Sequence, residues 1–195
     1  ACPGVMGEGA PQTGGALPAA DFAARLRGEG LGFSVGPFDI NARARSPTLE
    51  AQLQPLYADY PLRDHDRVFS CHVTIDELRS LRRPWTRLVR FRVDGRPPHE
   101  DMPAEHALAV LEWGVNLVIA MRHQRYLMLH AAAVERGGRV LLLPAWPGHG
   151  KTTLCAALVH RGWRLLSDEF GLVRPGATRL LAVPKLMPLK NESIA

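Results

Sequence analysis

The run Ala145-Trp146-Pro147-Gly148-His149-Gly150-Lys151-Thr152-Thr153 constrains this 195-residue chain more than any other stretch. Apolar Val140–Leu143 comes directly before it, and Leu154–Val159 presents an apolar helical face after it. The pattern therefore reads as strand, glycine-rich turn, helix, the context in which a phosphate-binding loop is built. Each residue type has a chemical reason. Gly148 and Gly150 let the backbone fold around phosphate oxygens and aim N–H groups at them. A helix starting at Lys151 adds its positive N-terminal end. The Lys151 ammonium suits the β- and γ-phosphates, and the Thr152 hydroxyl suits Mg²⁺. Pro147, His149 and Thr153 complete the cofactor-binding set, with His149 acting mainly through its backbone. The first position is Ala145, where Gly is usual. With Ala allowed there, the pattern arises by chance in about 1–2% of chains this long. The plain alternative is a glycine-rich turn that happens to carry a lysine.

Beyond the helix comes Arg164-Leu165-Leu166-Ser167-Asp168-Glu169. An acid at the C-terminal end of a strand beside a phosphate loop lies where open α/β sheets bind ligands. Asp168 is expected to hold Mg²⁺ or to accept the proton of an attacking hydroxyl, and Glu169 to share either task. A solvated acidic turn is the bland reading of the same pair. His130 sits in the otherwise apolar run Leu127–Val134, which leads directly into the loop strand. It is either a site residue or a core histidine satisfied by one hydrogen bond. The remaining histidines show no metal-ligand spacing.

Along the chain, residues 1–17 are mostly Gly, Pro and Ala and read as a flexible tail. Residues 18–100 read as a smaller α+β region. A helix is expected over Pro18–Arg27, two strands around Gly36-Pro37, and a short helix or turn over Thr48–Gln54 stopped by Pro55. Val68–Ile75 and Thr86–Val93 are further strand candidates, and nothing catalytic stands out in residues 31–95. The Pro-rich stretch Arg96–Pro103 suggests a boundary. From residue 101 the pattern changes. Glu105–Arg122 has apolar residues at helical spacing, and strands over 126–134 and 140–143, a helix over 151–160 and a strand over 163–166 compose a βαβ unit of a parallel sheet.

Composition excludes several classes. At 46% hydrophobic and 22% charged, the chain has the means for a packed core. Three cysteines without CxxC spacing suggest neither a disulfide framework nor a zinc site. A net charge of +5 could mean a nucleic-acid partner, but the arginines are scattered, and no such binding is expected. Only three of the 24 basic residues are lysines, and one of them is Lys151. The charge-free stretch Trp113–Met121 is too short to span a bilayer, and no signal peptide is visible, so a cytoplasmic protein is expected. The opening on Ala1 and the short tail beyond the acidic pair suggest a C-terminally truncated piece of a longer chain.

Three segments in one compact order now carry a resemblance: Leu129-His130-Ala131-Ala132-Ala133-Val134, the phosphate loop with its flanks Leu142-Leu143-Pro144 and Leu154, and Arg161-Gly162-Trp163-Arg164-Leu165-Leu166-Ser167-Asp168-Glu169. Together they resemble the HPr kinase/phosphorylase superfamily, in particular the HprK-related kinase A group. Gly36-Pro37-Phe38 and Glu112-Trp113-Gly114-Val115-Asn116 are similar to the same group. The likeness covers roughly residues 28–195. It implies an α/β P-loop kinase core of the HPr kinase/PEP carboxykinase type over 101–195, incomplete at its C-terminus. It also implies ATP and Mg²⁺ as cofactors and phosphoryl transfer to a Ser-type hydroxyl of an unnamed protein or peptide acceptor. Asp168 then matches a catalytic acid near metal and acceptor, and His130 an active-site histidine. Glu169 stands where HPr kinases proper carry Asp, and the phosphorylase-type signature is absent. A catalytically silent nucleotide-binding regulatory module and a small-molecule kinase stay open as alternatives, as does a homo-oligomer.

Overall fold

A computed structural model of the chain describes residues 12–66, 68–79, 85–122, 125–146 and 148–189. They divide into two units, one from 1–34 and 39–112, the other from 35–38 and 113–195. The division falls inside a helix rather than at the Pro-rich 96–103 stretch. That stretch is sewn into the first sheet by a two-residue strand.

The first unit comprises α1 (Ala19–Arg27), β1 (Leu31–Val35), β2 (Phe38–Arg45), α2 (Pro47–Leu56), β3 (Leu62–Arg63), β4 (Cys71–Arg79), β5 (Arg87–Val93), β6 (Met102–Pro103) and the start of α3 (Ala107–Arg122). Its six strands lie in the order β3-β1-β2-β4-β5-β6. Only β2 and β4 are a parallel pair, which the intervening helix α2 makes possible. Alternation decides the faces. Cys71, Val73 and Ile75 of β4 and Val89, Phe91 and Val93 of β5 turn inward, whereas Arg90 and Arg92 turn outward and pair with Asp101 and Asp76. Phe22 and Leu26 of α1 and Leu49 and Leu53 of α2 are fully or nearly buried against this layer. Phe33 meets Tyr57 edge-on at 4.9 Å between centroids, and Tyr57 stacks on Tyr60. Burial raises the Tyr57 phenol far above its ordinary value, so it stays protonated and donates to Glu112. Ser46 caps α2 by accepting from Leu49 N at 3.4 Å. Pro55 does not stop α2, which runs on to Leu56. So near the end, the proline costs one backbone hydrogen bond only.

Among the described residues, Ala104–Met121 is one helical stretch long and apolar enough to cross a membrane, with Glu105 and Glu112 inside it. The residues 104–112 extend the shorter apolar run seen in the sequence. Val110, Leu111, Val115, Val118 and Ile119 are all buried within the fold.

The second unit holds β7 (Leu127–Arg136), β8 (Arg139–Pro144), α4 (Lys151–His160), β9 (Arg164–Ser167), β10 (Phe170–Val173) and β11 (Leu180–Leu181). It is α/β in content, but its sheet is not the expected parallel one. Gly137 and Gly138, at φ 60° and 76°, make a two-residue turn that folds β8 back on β7, with Arg136 opposite Arg139. After α4 the chain returns on the other edge of β7, where β9 and β10 run antiparallel to it one after the other. β8 and β9 are therefore parallel to each other, yet β7 lies between them. A tight hairpin left no room for a direct parallel pair. Ala132 and Val134 of β7 pack with Cys155 of α4, joined by Leu143, Leu158, Val159, Trp163, Leu165 and Met187. The small side chain of Ala132 lets the helix approach the sheet closely.

Candidate functional site

Three elements converge at the N-terminus of α4. The loop between β8 and α4 contains Gly148 at φ 82° and Gly150 at φ 75°, the left-handed region that glycine enters without penalty. A Cβ at either position would meet nothing within 4 Å, so backbone conformation rather than crowding requires glycine there. His149 N donates to Trp146 O, which tightens the loop into a turn. Gly150 is the N-cap of α4 and brings no side chain to cap it, and no acid stands in the first turn. The positive end of the helix is left to whatever anion enters. Pro147 lies outside the described residues.

Strand alternation puts His130 on the same face of β7 as Ala132 and Val134, the face that α4 covers. Lys151 Nζ comes within 3.0 Å of His130 Nε2 as a result. On the other side of His130, Nδ1 lies 3.7 Å from Glu169 Oε2. Thr152, one residue along the helix, donates from Oγ1 to Asp168 Oδ2 at 3.1 Å. Thr153 occupies the exposed side of the same turn.

Asp168 and Glu169 occupy the interval between β9 and β10. Ser167 is opposite Ala133 and Phe170 opposite His130, so the two acids fill the interval between the two pairs without a change of register along β7. Ser167 holds that interval. Its Oγ accepts from Glu169 N at 3.3 Å and from Phe170 N at 3.0 Å. Ser167 is not among the residues expected at the site, although a serine directly before an acidic pair is a turn signal of its own.

Asp168 is 3% exposed, and its Oδ1 is buried with no hydrogen-bond partner among the described residues. Burial pushes its carboxyl above the usual carboxylate range; the Thr152 hydrogen bond opposes this and the Glu169 charge adds to it. Glu169 and His130 are by contrast partly open to solvent. Cys155, buried and facing the Asp168 charge, has its thiol pushed up to about 11 and serves as packing. The described residues contain no group of three or more His, Cys, Asp or Glu able to hold a metal. A hard cation that keeps waters and phosphate oxygens in its shell needs no such group. One carboxylate and one hydroxyl fit it, and Asp168, with its Oδ1 unpartnered among the described residues, and Thr152 are that pair.

The structure thus brings together Lys151, Thr152, His130, Asp168 and Glu169, with Gly148, His149 and Gly150 as the loop that frames them. Such an arrangement can bind polyphosphate through amides and ammonium, and it offers an oxygen site for a cation next to a proton acceptor. Comparison with family models, curated proteins and solved structures returns no match to this chain.

Proposed function

We propose that the chain carries the site of an ATP- and Mg²⁺-dependent phosphotransferase that passes the γ-phosphoryl group to a Ser-type hydroxyl of a protein or peptide, as an HprK-like kinase. The observation that carries the reading is the buried, unpartnered Oδ1 of Asp168, next to Thr152 and the glycine-rich turn. A buried polar atom without a partner is costly, and it persists where a ligand completes it.

In this reading the amides of residues 148–152 and the Lys151 ammonium bind the phosphates. Lys151 exchanges His130 Nε2 for phosphate oxygen as it does so. Thr152 Oγ1 and Asp168 Oδ1 would hold Mg²⁺, which neutralises charge between phosphate oxygens when bound. The acceptor hydroxyl attacks the γ-phosphorus in line, the bond to the β-phosphate oxygen breaks and ADP leaves. The hydroxyl proton passes to the Asp168 carboxylate. Glu169 orients His130 and keeps negative charge beside the acceptor side of the site. The Ser-type acceptor follows from the family resemblance and not from the geometry.

The test combines binding with turnover. Lys151→Ala should lose ATP binding by calorimetry. Asp168→Asn should keep it and lose ADP release in the presence of acceptor. Parental turnover in Asp168→Asn would overturn the reading, and ATP binding without any ADP release by the parent would replace it with a silent nucleotide-binding module.

A further inference from the structure

We propose a second binding site, in the first unit, for an extended acidic peptide segment with adjacent acidic residues. It lies where β2 ends and β4 continues. β2 pairs with β4 from Ile40 opposite Cys71 to Arg45 opposite Asp76, and there it stops. β4 runs on through Glu77, Leu78 and Arg79, which among the described residues have strand partners on the β5 side alone. Their other edge, with its backbone N–H and C=O groups, borders an open cavity of about 500 Å³ lined by Arg45, Pro47, Glu77, Leu78, Arg79 and Arg87. An exposed strand edge is a template for one more strand.

The charges say which strand. Arg79 stands directly opposite Arg87 in the β4–β5 register. Like charges in that relation destabilise an antiparallel pair, so the fold itself has no use for them. Glu77 pairs with Arg87 and neutralises one of the two. Neither Arg79 nor Arg45 has an acidic partner among the described residues. The cavity is left with an excess of positive charge on guanidinium groups suited to carboxylates.

Alternation adds a requirement. Arg45 shares its face of the sheet with Asp76, and Arg79 and Arg87 point to the other face. A segment that continues the track of β2 along Glu77–Arg79 presents successive side chains to opposite faces. Two neighbouring acidic residues then reach Arg45 and the Arg79–Arg87 pair at once, which an alternating acidic pattern cannot do. The site is independent of the nucleotide reading.

Fluorescence anisotropy on the full chain tests it with three labelled eight-residue probes. One has adjacent glutamates flanked by valines, the second has the same composition with the glutamates alternating, and the third is the first with its backbone N-methylated. The first should bind at least about tenfold tighter than either of the others. Arg79→Glu should weaken it by a similar factor, and Arg79→Gln by less. In the absence of peptide, Arg79→Gln should melt no lower than the parent, because removing the charge relieves the pair with Arg87. Equal binding of the three probes, or tighter binding of a single-stranded oligonucleotide of equal charge, would overturn the assignment in favour of simple polyanion attraction. No binding at about 1 mM would overturn it outright.

Discussion

Lys151 Nζ and His130 Nε2 are 3.0 Å apart, from a helix N-terminus and a strand 21 residues earlier. Since an ammonium has only donors, the imidazole nitrogen facing it is an acceptor, and the ring proton sits on Nδ1 toward Glu169. Lys151 is therefore held by the protein itself. On the proposed reading, nucleotide must displace that bond, whose net worth is about 1 kcal/mol. His130→Ala should consequently bind ATP tighter, by up to about fivefold, while turnover falls. Isothermal titration and a coupled ADP assay read the two separately. Weaker binding in His130→Ala would mean that the imidazole touches the nucleotide directly.

Asp168 has a second signature, in stability. Its carboxyl is raised in the fold above its unfolded value, burial being the main cause. The native state binds the extra proton over the pH interval from the ordinary carboxylate value to the raised one. Stability from this group is therefore present below that interval and falls as pH rises through it. Asp168→Asn should remove the fall. Urea unfolding from pH 4 to 8 should show the difference between parent and variant growing with pH and then levelling. Asp101 and Glu135, both lowered, the one chiefly by Arg90 and the other by Gly138 N–H, contribute the opposite slope and cancel in that difference.

Ser167 should behave as a positioning residue. Ser167→Ala removes the acceptor for two backbone N–H groups that shape the Asp168–Glu169 segment. The expected cost is about 1–3 kcal/mol of stability, with kcat reduced more than the KM for ATP changes. Ser167→Thr, which keeps the oxygen, should recover most of the rate. Steady-state kinetics with thermal melts distinguishes this from a merely structural loss.

In the first unit, Phe33 is 2% exposed and meets both Tyr57 and Tyr60 edge-on. Phe33→Ala should cost about 3–5 kcal/mol, and Phe33→Leu clearly less. Denaturant unfolding measures both.

What could be read in advance follows from range of interaction. α1 and α4 are marked by the glycines that follow them and the body of α3 by apolar residues at helical spacing, and the glycine-rich turn by residue types whose backbone needs are local. Gly137-Gly138 signals the hairpin of β7 and β8, but the insertion of β7 between β8 and β9 depends on which edge of β7 the chain takes after α4. β3, β6 and β11 are two residues long and carry no period. The pairing of β6 with β5 over the Pro-rich stretch is a tertiary event that composition cannot encode. At the site, the residue types of Lys151, Thr152 and Asp168 could be read from the sequence. The unpartnered Oδ1 and the Lys151–His130 contact could not, because both depend on which face of β7 meets α4.

The irregularity within β9 also works as a register lock. The ladder of this edge on β7 shifts between Val134 opposite Leu165 and Ala133 opposite Ser167, and from Ser167 through Val173 a single alignment holds. Sliding the edge by a single residue would exchange inside for outside along the whole of it. Phe170 and Leu172 would turn to solvent, and Asp168 would leave the helix end for the opposite side of the sheet. Correct pairing of this edge and the placement of Asp168 at the helix end are thus the same event in this unit, and a chain mispaired here would be loose in its core and, on the proposed reading, inert.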